Sequence, residues 1–459
     1  MSKAVFSSIK RNALRRSFTV SVAALRAGGA LAVDRAWDHL QPNRTDGHAM
    51  LEREAQRFVA ELGRLKGTYV KVGQLCALMG EQFLPPALTA ALHELESHTE
   101  PLAWSTIEPV LRASLGERYG DLDIDPQPLA AASLAQVHRA RIVSTGEQIC
   151  LKVLYPGVKD TIDDDFNAVV RMLKLARWLK SGRELDTWLE DLRQQLHLET
   201  DYRREAQMGQ RMADLVAGDA RYRVPRVHAD FSSGNVLALE YLDGVCVTSA
   251  QVAALSLARR NRLATAMLDL FLSEMYEWDV MQTDSNFGNF RIAIGPRSDQ
   301  LILLDFGAMM TCSARFSQAL RQTVAGAQQG DDARAVEGLV GLGCLRAGSS
   351  AQAQASFVDF CHSLLEPFQD PAELPAAYLN EKGQYCWRTS DLMKRVSMQA
   401  GTAALSGHFG TPSRDFAFIA RKLGGVFSFI AQLGAEFNGG ALLNQYVERW
   451  QAPSRRARA

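Results

Sequence analysis

The chain has 459 residues, and its 51 basic side chains balance its 51 acidic ones, so no global field draws it to nucleic acid or to an acidic partner. At 47% hydrophobic and 22% charged it has an ordinary globular composition, with length enough for one large or two ordinary domains and a sizeable core. Seven scattered cysteines, odd in number and without a C-x-x-C pair, argue against a disulfide framework or zinc site and for a reducing compartment.

Residues 1–33 hold no acidic residue but carry Lys3, Lys10, Arg11, Arg15, Arg16 and Arg26. Phe6, Ile9, Ala13, Phe18, Val22 and Leu25 recur near helical spacing, which gives one apolar face. Three readings are open: a solvated terminal helix, an interfacial helix on anionic lipid, and a mitochondrial transit peptide. Pro42 to Gly47 reads as a linker.

From Leu51 to Ser97 the spacing is helical, with a break at Pro85-Pro86. Inside it lies Lys71-Val72-Gly73-Gln74, on local grounds an ordinary polar turn whose glycine costs helix stability. Pro101 to Asp125 reads as another helix and a loop. The stretch Pro128 to Val137 comes next and is alanine-rich, which on local grounds also suits a helix start. A strand is expected over His138 to Val143, a turn at Gly146, and a returning strand Gln148 to Val153 that carries Lys152. The phosphate-covering loop of protein kinases is G-x-G-x-x-G-x-V ahead of such a hairpin. Here Ala130, Ala132 and Ala135 stand at its glycine positions and Val137 at its valine.

Thr161 to Arg177 and Thr187 to Leu215 have helical spacing. The second carries Glu199, Asp201 and Glu205, which read either as a solvated acidic face beside Arg203 and Arg204 or as the source of a glutamate for a strand lysine. Glu205 is the expected partner of Lys152. Val224 to Val227 and Val236 to Leu242 are β-rich and expected to close the small sheet, after which Asp243-Gly244 turns the chain into a largely helical second half.

Within that half lies a stretch with the parts of a phosphoryl-transfer site. Asp284 is followed five positions later by Asn289, and after a polar bend an apolar strand, Leu301 to Leu304, ends in Asp305-Phe306-Gly307. Phosphoryl transfer needs a positioned nucleophile and cations on the developing charge. An aspartate to accept a hydroxyl proton, with an asparagine and an aspartate to hold Mg²⁺, supplies those parts. Helical patterns run from there to Trp450, with breaks at Gly330, Gly348, Pro371 and over Ser406 to Pro412. The nearest approach to a membrane span, Leu423 to Ala435, is too short and is interrupted by Gly424, Gly425, Ser428 and Gln432, so a soluble protein is expected.

Taken together, the alanine-substituted loop, Lys152, Glu205, Asp284 with Asn289, and Asp305-Phe306-Gly307 resemble the UbiB/aarF-domain family of atypical, protein-kinase-like enzymes. Lys71-Val72-Gly73-Gln74 resembles its Lys-x-Gly-Gln signature and Glu199-Thr200-Asp201 its Glu-x-Asp signature. The likeness covers roughly residues 50–450. Arg421-Lys422-Leu423-Gly424-Gly425 and the residues after Gly425 look like the coenzyme Q-linked branch.

The resemblance implies an α+β, bilobal protein-kinase-like fold with a small antiparallel-sheet N-lobe, a large helical C-lobe and a helical N-terminal extension. The expected segments are a basic amphipathic stretch and linker (1–50), a helical extension with the Lys-x-Gly-Gln motif (51–125), the N-lobe (126–243), the C-lobe (244–450) and a basic tail (451–459). Lys152 would hold the α and β phosphates of ATP or ADP and pair with Glu205. Asp284 would be the catalytic aspartate, and Asn289 and Asp305 would hold Mg²⁺. Ala130, Ala132, Ala135, Val137, Glu240 and Leu242 would line the nucleotide site. Lys71, Gly73 and Gln74 would lie over that site, meet Glu199 and Asp201, and block a protein substrate. Gln282-Thr283 stands where orthodox kinases have His-Arg, and no Ala-Pro-Glu follows Asp305, which favours an ATPase or small-molecule kinase.

The implied role is Mg-ATP-dependent support of ubiquinone biosynthesis. A nucleotide-binding pseudokinase scaffold and a small-molecule phosphotransferase are the alternatives. Expected partners are nucleotide, membrane lipid or quinone precursors and ubiquinone-biosynthesis enzymes; a homodimer is allowed and nucleic acid is not expected. The expected location is cytoplasmic and peripheral at the inner membrane, or the mitochondrial matrix in a eukaryote.

Overall fold

A computed structural model describes residues 46–452 apart from 66, 80–82, 94, 96–100, 180–182, 285 and 406–413. The expectations placed on residues 1–45, on the break within 406–412 and on the tail beyond 452 lie outside the described residues. The chain divides into two compact units, Met1–Gln207 with Arg226–Tyr241, and Met208–Pro225 with Leu242–Ala459.

In the first unit α1 (Asp46–Leu65), α2 (Thr68–Met79) and α3 (Pro86–His93) follow the helical spacing and its break at the proline pair. After α4 (Trp104–Leu115) comes a four-stranded antiparallel sheet. Its order is β1 (Leu122–Ala131), β2 (Ala135–Ile142), β3 (Gln148–Leu154) and β5 (Val236–Glu240), while β4 (Tyr222–Arg223) belongs to the second unit. The strand β1 corrects the reading of this region as helix, loop and alanine-rich start. Pro126, Pro128 and the alanines hid it, because such residues suit central strands poorly. They are tolerated here because β1 is an edge strand, and register shifts on either side of Pro128 absorb the missing ladder bonds.

Strand β2 also begins earlier than expected, at Ala135. Its inward Gln136 and His138 are fully buried and need partners. Gln136 bridges both backbone groups of Leu102, accepting from its N–H at 2.8 Å and donating to its carbonyl at 3.3 Å. His138 Nδ1 lies 2.8 Å from the Asp125 carbonyl, and its Nε2 lies 2.8 Å from the Gln136 amide. Burial lowers the pKa of this imidazole, so it stays neutral and donates through Nδ1.

The helical spacing from Thr187 to Leu215 is divided. After α5 (Val158–Leu175), α6 (Arg183–Glu199) ends and α7 (Tyr202–Leu215) begins anew. The cause is Asp201, whose Oδ1 accepts the backbone N–H groups of Arg203 at 3.2 Å and Arg204 at 3.1 Å, an N-cap. Phe58, Leu62, Val72, Leu75 and Leu92 from α1 to α3 form one core with Phe166, Leu192 and Leu196 from α5 and α6.

The second unit holds a three-stranded sheet, β4 alongside β8 (Gln300–Leu303) alongside β7 (Phe290–Ala293). A two-stranded ribbon joins β6 (Val280–Gln282) to β9 (Met309–Thr311). Val224 to Val227 does not add a strand to the small sheet; only Val227 bridges to Leu239, and Tyr222-Arg223 pairs in parallel with β8 instead. Pro225 has no N–H to give to a ladder. The polar bend after Asn289 begins with β7, and β9 precedes the helices expected directly after Ala308. The helices are α8 (Ala250–Ala253), α9 (Leu257–Ser273), α10 (Ala314–Gln329), α11 (Asp332–Gly341), α12 (Ala351–Leu364), α13 (Leu392–Leu405), α14 (Arg414–Gln432) and α15 (Gly440–Gln451). Among the described residues no helix is long and apolar enough to cross a membrane.

Candidate active site

The first unit carries the lysine. In β3 the alternation of a strand turns Ile149, Leu151 and Val153 into the core, all fully buried, and leaves Lys152 on the other face. There its Nζ lies 2.7 Å from Oε1 of Glu205, on the first turn of α7, and 5.4 Å from the centre of the Tyr202 ring. Glu205 is 3% exposed, so the bond is a charge-assisted one shielded from water. The neighbouring hairpin carries the alanines. Ala130 faces Val137 in the ladder, Ala132 N–H donates to the Ala135 carbonyl at 2.7 Å, and the tip at Ala130 and Ala132 is exposed. The loop is thus the turn of a β1–β2 hairpin rather than a link between a helix and a hairpin. Glu240 closes β5 with its backbone N–H on the Arg226 carbonyl at 2.8 Å, and the half-buried Leu242 begins the second unit.

The Lys-x-Gly-Gln residues lie on α2. Lys71 Nζ pairs with Glu199 at 2.5 Å, and Gln74 donates to the Leu95 carbonyl at 3.2 Å. Gly73 is buried, and a Cβ there would stand 2.5 Å from Cδ1 of Leu95, which explains glycine inside this helix better than any need for flexibility. Lys71 therefore has one of its two expected carboxylates. The other, Asp201, is the cap of α7.

In the second unit Asp284, Asn289 and Asp305 are tied together through the backbone. Asn289 Nδ2 donates to the Asp284 carbonyl at 3.0 Å, and the Leu304 N–H donates to the Asn289 carbonyl at 3.0 Å, one residue before Asp305. Asp305 Oδ1 accepts the Gly307 N–H at 2.9 Å. The buried pair Gln282-Thr283 clamps this segment. Gln282 donates to the Asp305 carbonyl at 2.7 Å, and Thr283 donates to the Ala308 carbonyl through its N–H at 2.9 Å and its hydroxyl at 2.8 Å. From Asp305 the chain runs through β9 directly to Ser313, whose hydroxyl caps α10. Phe306 packs against Gly209 of α7, where a Cβ would approach its ring to 3.2 Å.

These residues suit a divalent cation. With its amide nitrogen committed to Asp284, Asn289 keeps an oxygen for the metal, and Asp305 adds a carboxylate. Hard oxygen donors, two from protein and the rest from phosphate and water, are the usual Mg²⁺ set. Two functional contacts escaped sequence reasoning. Arg421 Nη2 donates to Asp284 Oδ1 at 2.9 Å, and Lys422 Nζ pairs with Glu274 at 2.9 Å, both from α14. In the sequence Arg421 and Lys422 stand out only as part of the segment that looks like the coenzyme Q-linked branch, with nothing to name their partners.

Known proteins resemble this chain in sequence and in fold. The family described as the ABC1 atypical kinase-like domain matches residues 94–339. The protein named "Atypical kinase COQ8, mitochondrial" of Schizosaccharomyces pombe is 29% identical over 397 residues, covering 86% of this chain and 63% of its own length. Its Saccharomyces cerevisiae namesake is 27% identical, covering 85% of this chain and 75% of its own length. "Atypical kinase COQ8B, mitochondrial" of Rattus norvegicus is 28% identical, with 88% and 74% covered. Among solved structures, the complex of Rv3197 with erythromycin from Mycobacterium tuberculosis aligns with a TM-score of 0.61 at 22% identity, covering 88% of this chain and 98% of that one, a likeness of fold.

Proposed function

The chain belongs to the ABC1 atypical kinase-like family, and on that premise we propose that it is an atypical kinase or ATPase that uses Mg-ATP to support coenzyme Q biosynthesis, the pathway to which the names of its relatives point. One observation carries the reading: the Asn289 side-chain amide donates to the Asp284 carbonyl and the Asn289 carbonyl accepts the N–H of Leu304, next to Asp305, so the three residues are held close together, as a metal-assisted phosphoryl transfer needs. Lys152, held by Glu205, would bind the α and β phosphates, with Ala130, Ala132, Ala135, Val137, Glu240 and Leu242 around the nucleotide. Asn289 and Asp305 would hold Mg²⁺, which supplies positive charge at the phosphate oxygens. The bond from the γ-phosphorus to its bridging oxygen breaks, ADP leaves with the electron pair, the acceptor oxygen bonds to phosphorus, and its proton passes to Asp284.

The direct passage from Asp305 through β9 to α10 leaves no long segment on which a peptide could dock, which favours water or a small molecule as acceptor. We infer work with quinone precursors or the enzymes that modify them, at a membrane surface, and in the mitochondrial matrix if the source is a eukaryote. The test is purified protein with Mg-ATP, Mg-ADP and quinone-precursor mimics. Mg²⁺-dependent binding, and hydrolysis that responds to the mimics, are expected. Binding without hydrolysis would move the protein to the scaffold reading, and no binding would end both.

A second expected result concerns the alanine turn. Ala132 does not lie in the left-handed region, so Ala132→Gly should cost at most about 1 kcal/mol of stability, through backbone freedom alone. The family resemblance implies that alanine here restrains self-phosphorylation and sets nucleotide preference. The variant should shift its ATP-to-ADP affinity ratio and gain radiolabel from ATP while melting within a few degrees of wild type. Wild-type values of both would remove this turn as a regulator.

A further inference from the structure

The loop from Asp284 to Asn289 contains no basic residue between its two functional ends. Phosphoryl transfer nevertheless needs positive charge where charge develops, and Mg²⁺ alone seldom supplies all of it. The structure provides a cation from elsewhere. Arg421 donates to Oδ1 of Asp284 at 2.9 Å, from a position 137 residues further along the chain. The same oxygen also accepts the Asn286 N–H at 3.4 Å. Both partners of the pair keep about a quarter of their side chains accessible, 29% for Arg421 and 25% for Asp284. A guanidinium has five donors in a fixed fork and can serve a carboxylate and a phosphate together.

Three contacts fix α14 to this loop and to the residues flanking it, so the approach of Arg421 is built in. Lys422, the next residue, is wholly buried and pairs with Glu274 at 2.9 Å. The other Glu274 oxygen accepts the N–H of Gln282, two residues before Asp284, at 3.4 Å. Further along α14, the Phe429 ring meets Phe287, inside the loop, and Phe290, just after it, with both ring centroids at 5.8 Å.

We propose that Arg421 is the positioning cation of the catalytic loop. It holds the Asp284 carboxylate by one oxygen, leaves the other for the acceptor, and brings to the transferred phosphoryl group the charge that residues 284–289 lack. This inference rests on the phosphoryl-transfer reading above and adds to it a residue from α14.

The test uses the full chain with Arg421→Ala and Arg421→Lys, reading nucleotide affinity, ATP turnover and melting temperature. A positioning cation acts on the transfer step, so the affinities for Mg-ATP and Mg-ADP should stay within about threefold while turnover in Arg421→Ala falls at least about a hundredfold, below the span known for a transition-state arginine. Arg421→Lys, which keeps the charge but not the fork, should lie between. Millimolar guanidinium should partly restore Arg421→Ala and leave Asp305→Asn unrestored. Wild-type or raised turnover in Arg421→Ala overturns the inference alone, because the nucleotide reading then still stands. A large loss of affinity, or of fold, in both variants assigns the arginine to structure and also overturns it. A wild-type protein that binds Mg-nucleotide without turning it over overturns this inference together with the enzymatic reading.

Discussion

Replacing Asp305 with asparagine is expected to weaken Mg²⁺-dependent nucleotide binding by at least about tenfold, a loss of about 1.4 kcal/mol or more. The substitution keeps the shape of the side chain and an oxygen that can accept the Gly307 N–H, now at 2.9 Å, so the turn should survive. It removes the one formal negative charge that the proposed cation set takes from the protein, since Asn289 is neutral. Binding measured in EDTA should therefore differ little between variant and wild type, and binding measured in Mg²⁺ should differ strongly. Asp284→Asn should behave differently: in the proposed reaction its carboxylate would take the acceptor proton, so turnover should fall while affinity is largely kept. Lys152→Ala should weaken binding with or without metal, and it leaves Glu205, 3% exposed, without its 2.7 Å partner. If affinity and hydrolysis are unchanged in all three variants, the assignment of this site is wrong.

The largest effect on stability is expected from Lys422→Met. Lys422 and Glu274 are 0% and 1% exposed and lie 2.9 Å apart, so neither charge has water to fall back on. Removing one partner of such a pair leaves an uncompensated buried charge and typically costs about 3–5 kcal/mol. Glu274 sits on the five-residue π-turn, Glu274–Trp278, that continues α9, and its backbone tie to Gln282 would be disturbed as well. Burial pushes the Glu274 carboxyl above its ordinary range even beside Lys422, and without the lysine only the Gln282 bond opposes that push. A carboxyl whose folded-state pKa is raised contributes stability that is full below its unfolded value and is lost as pH rises through the folded value. The melting deficit of Lys422→Met should therefore narrow as pH falls toward about 4. The double variant Glu274→Leu, Lys422→Met should recover much of the loss, because it buries no charge. A single variant as stable as wild type at neutral pH would contradict the buried pair.

Much of this was legible in the amino-acid order, and the reason is that it depends on near neighbours. Alternation along Gln148–Leu154 fixes which face of β3 carries Lys152 once Ile149, Leu151 and Val153 are buried. Helical spacing brings out α1 to α3, and the order of Lys152, Glu205, Asp284, Asn289 and Asp305 suggests phosphoryl transfer without any coordinates. What the order left open were features whose local signals were ambiguous. Asp201 reads as one carboxylate among three until the chain breaks at Thr200 and makes it a cap. The strand β1 reads as loop because its prolines and alanines are poor strand formers, tolerated only where one edge faces no partner.

The sequence by itself determined the inventory: which side chains of the proposed site exist and in what order. Tertiary structure alone decided which of them meet across long stretches of chain. Arg421 reaches Asp284 over 137 residues, and Lys422 reaches Glu274 over 148. No local period encodes such a meeting, because a charge in an apolar helix is a defect until the fold supplies its partner, and only closure of the intervening chain brings that partner within hydrogen-bonding distance.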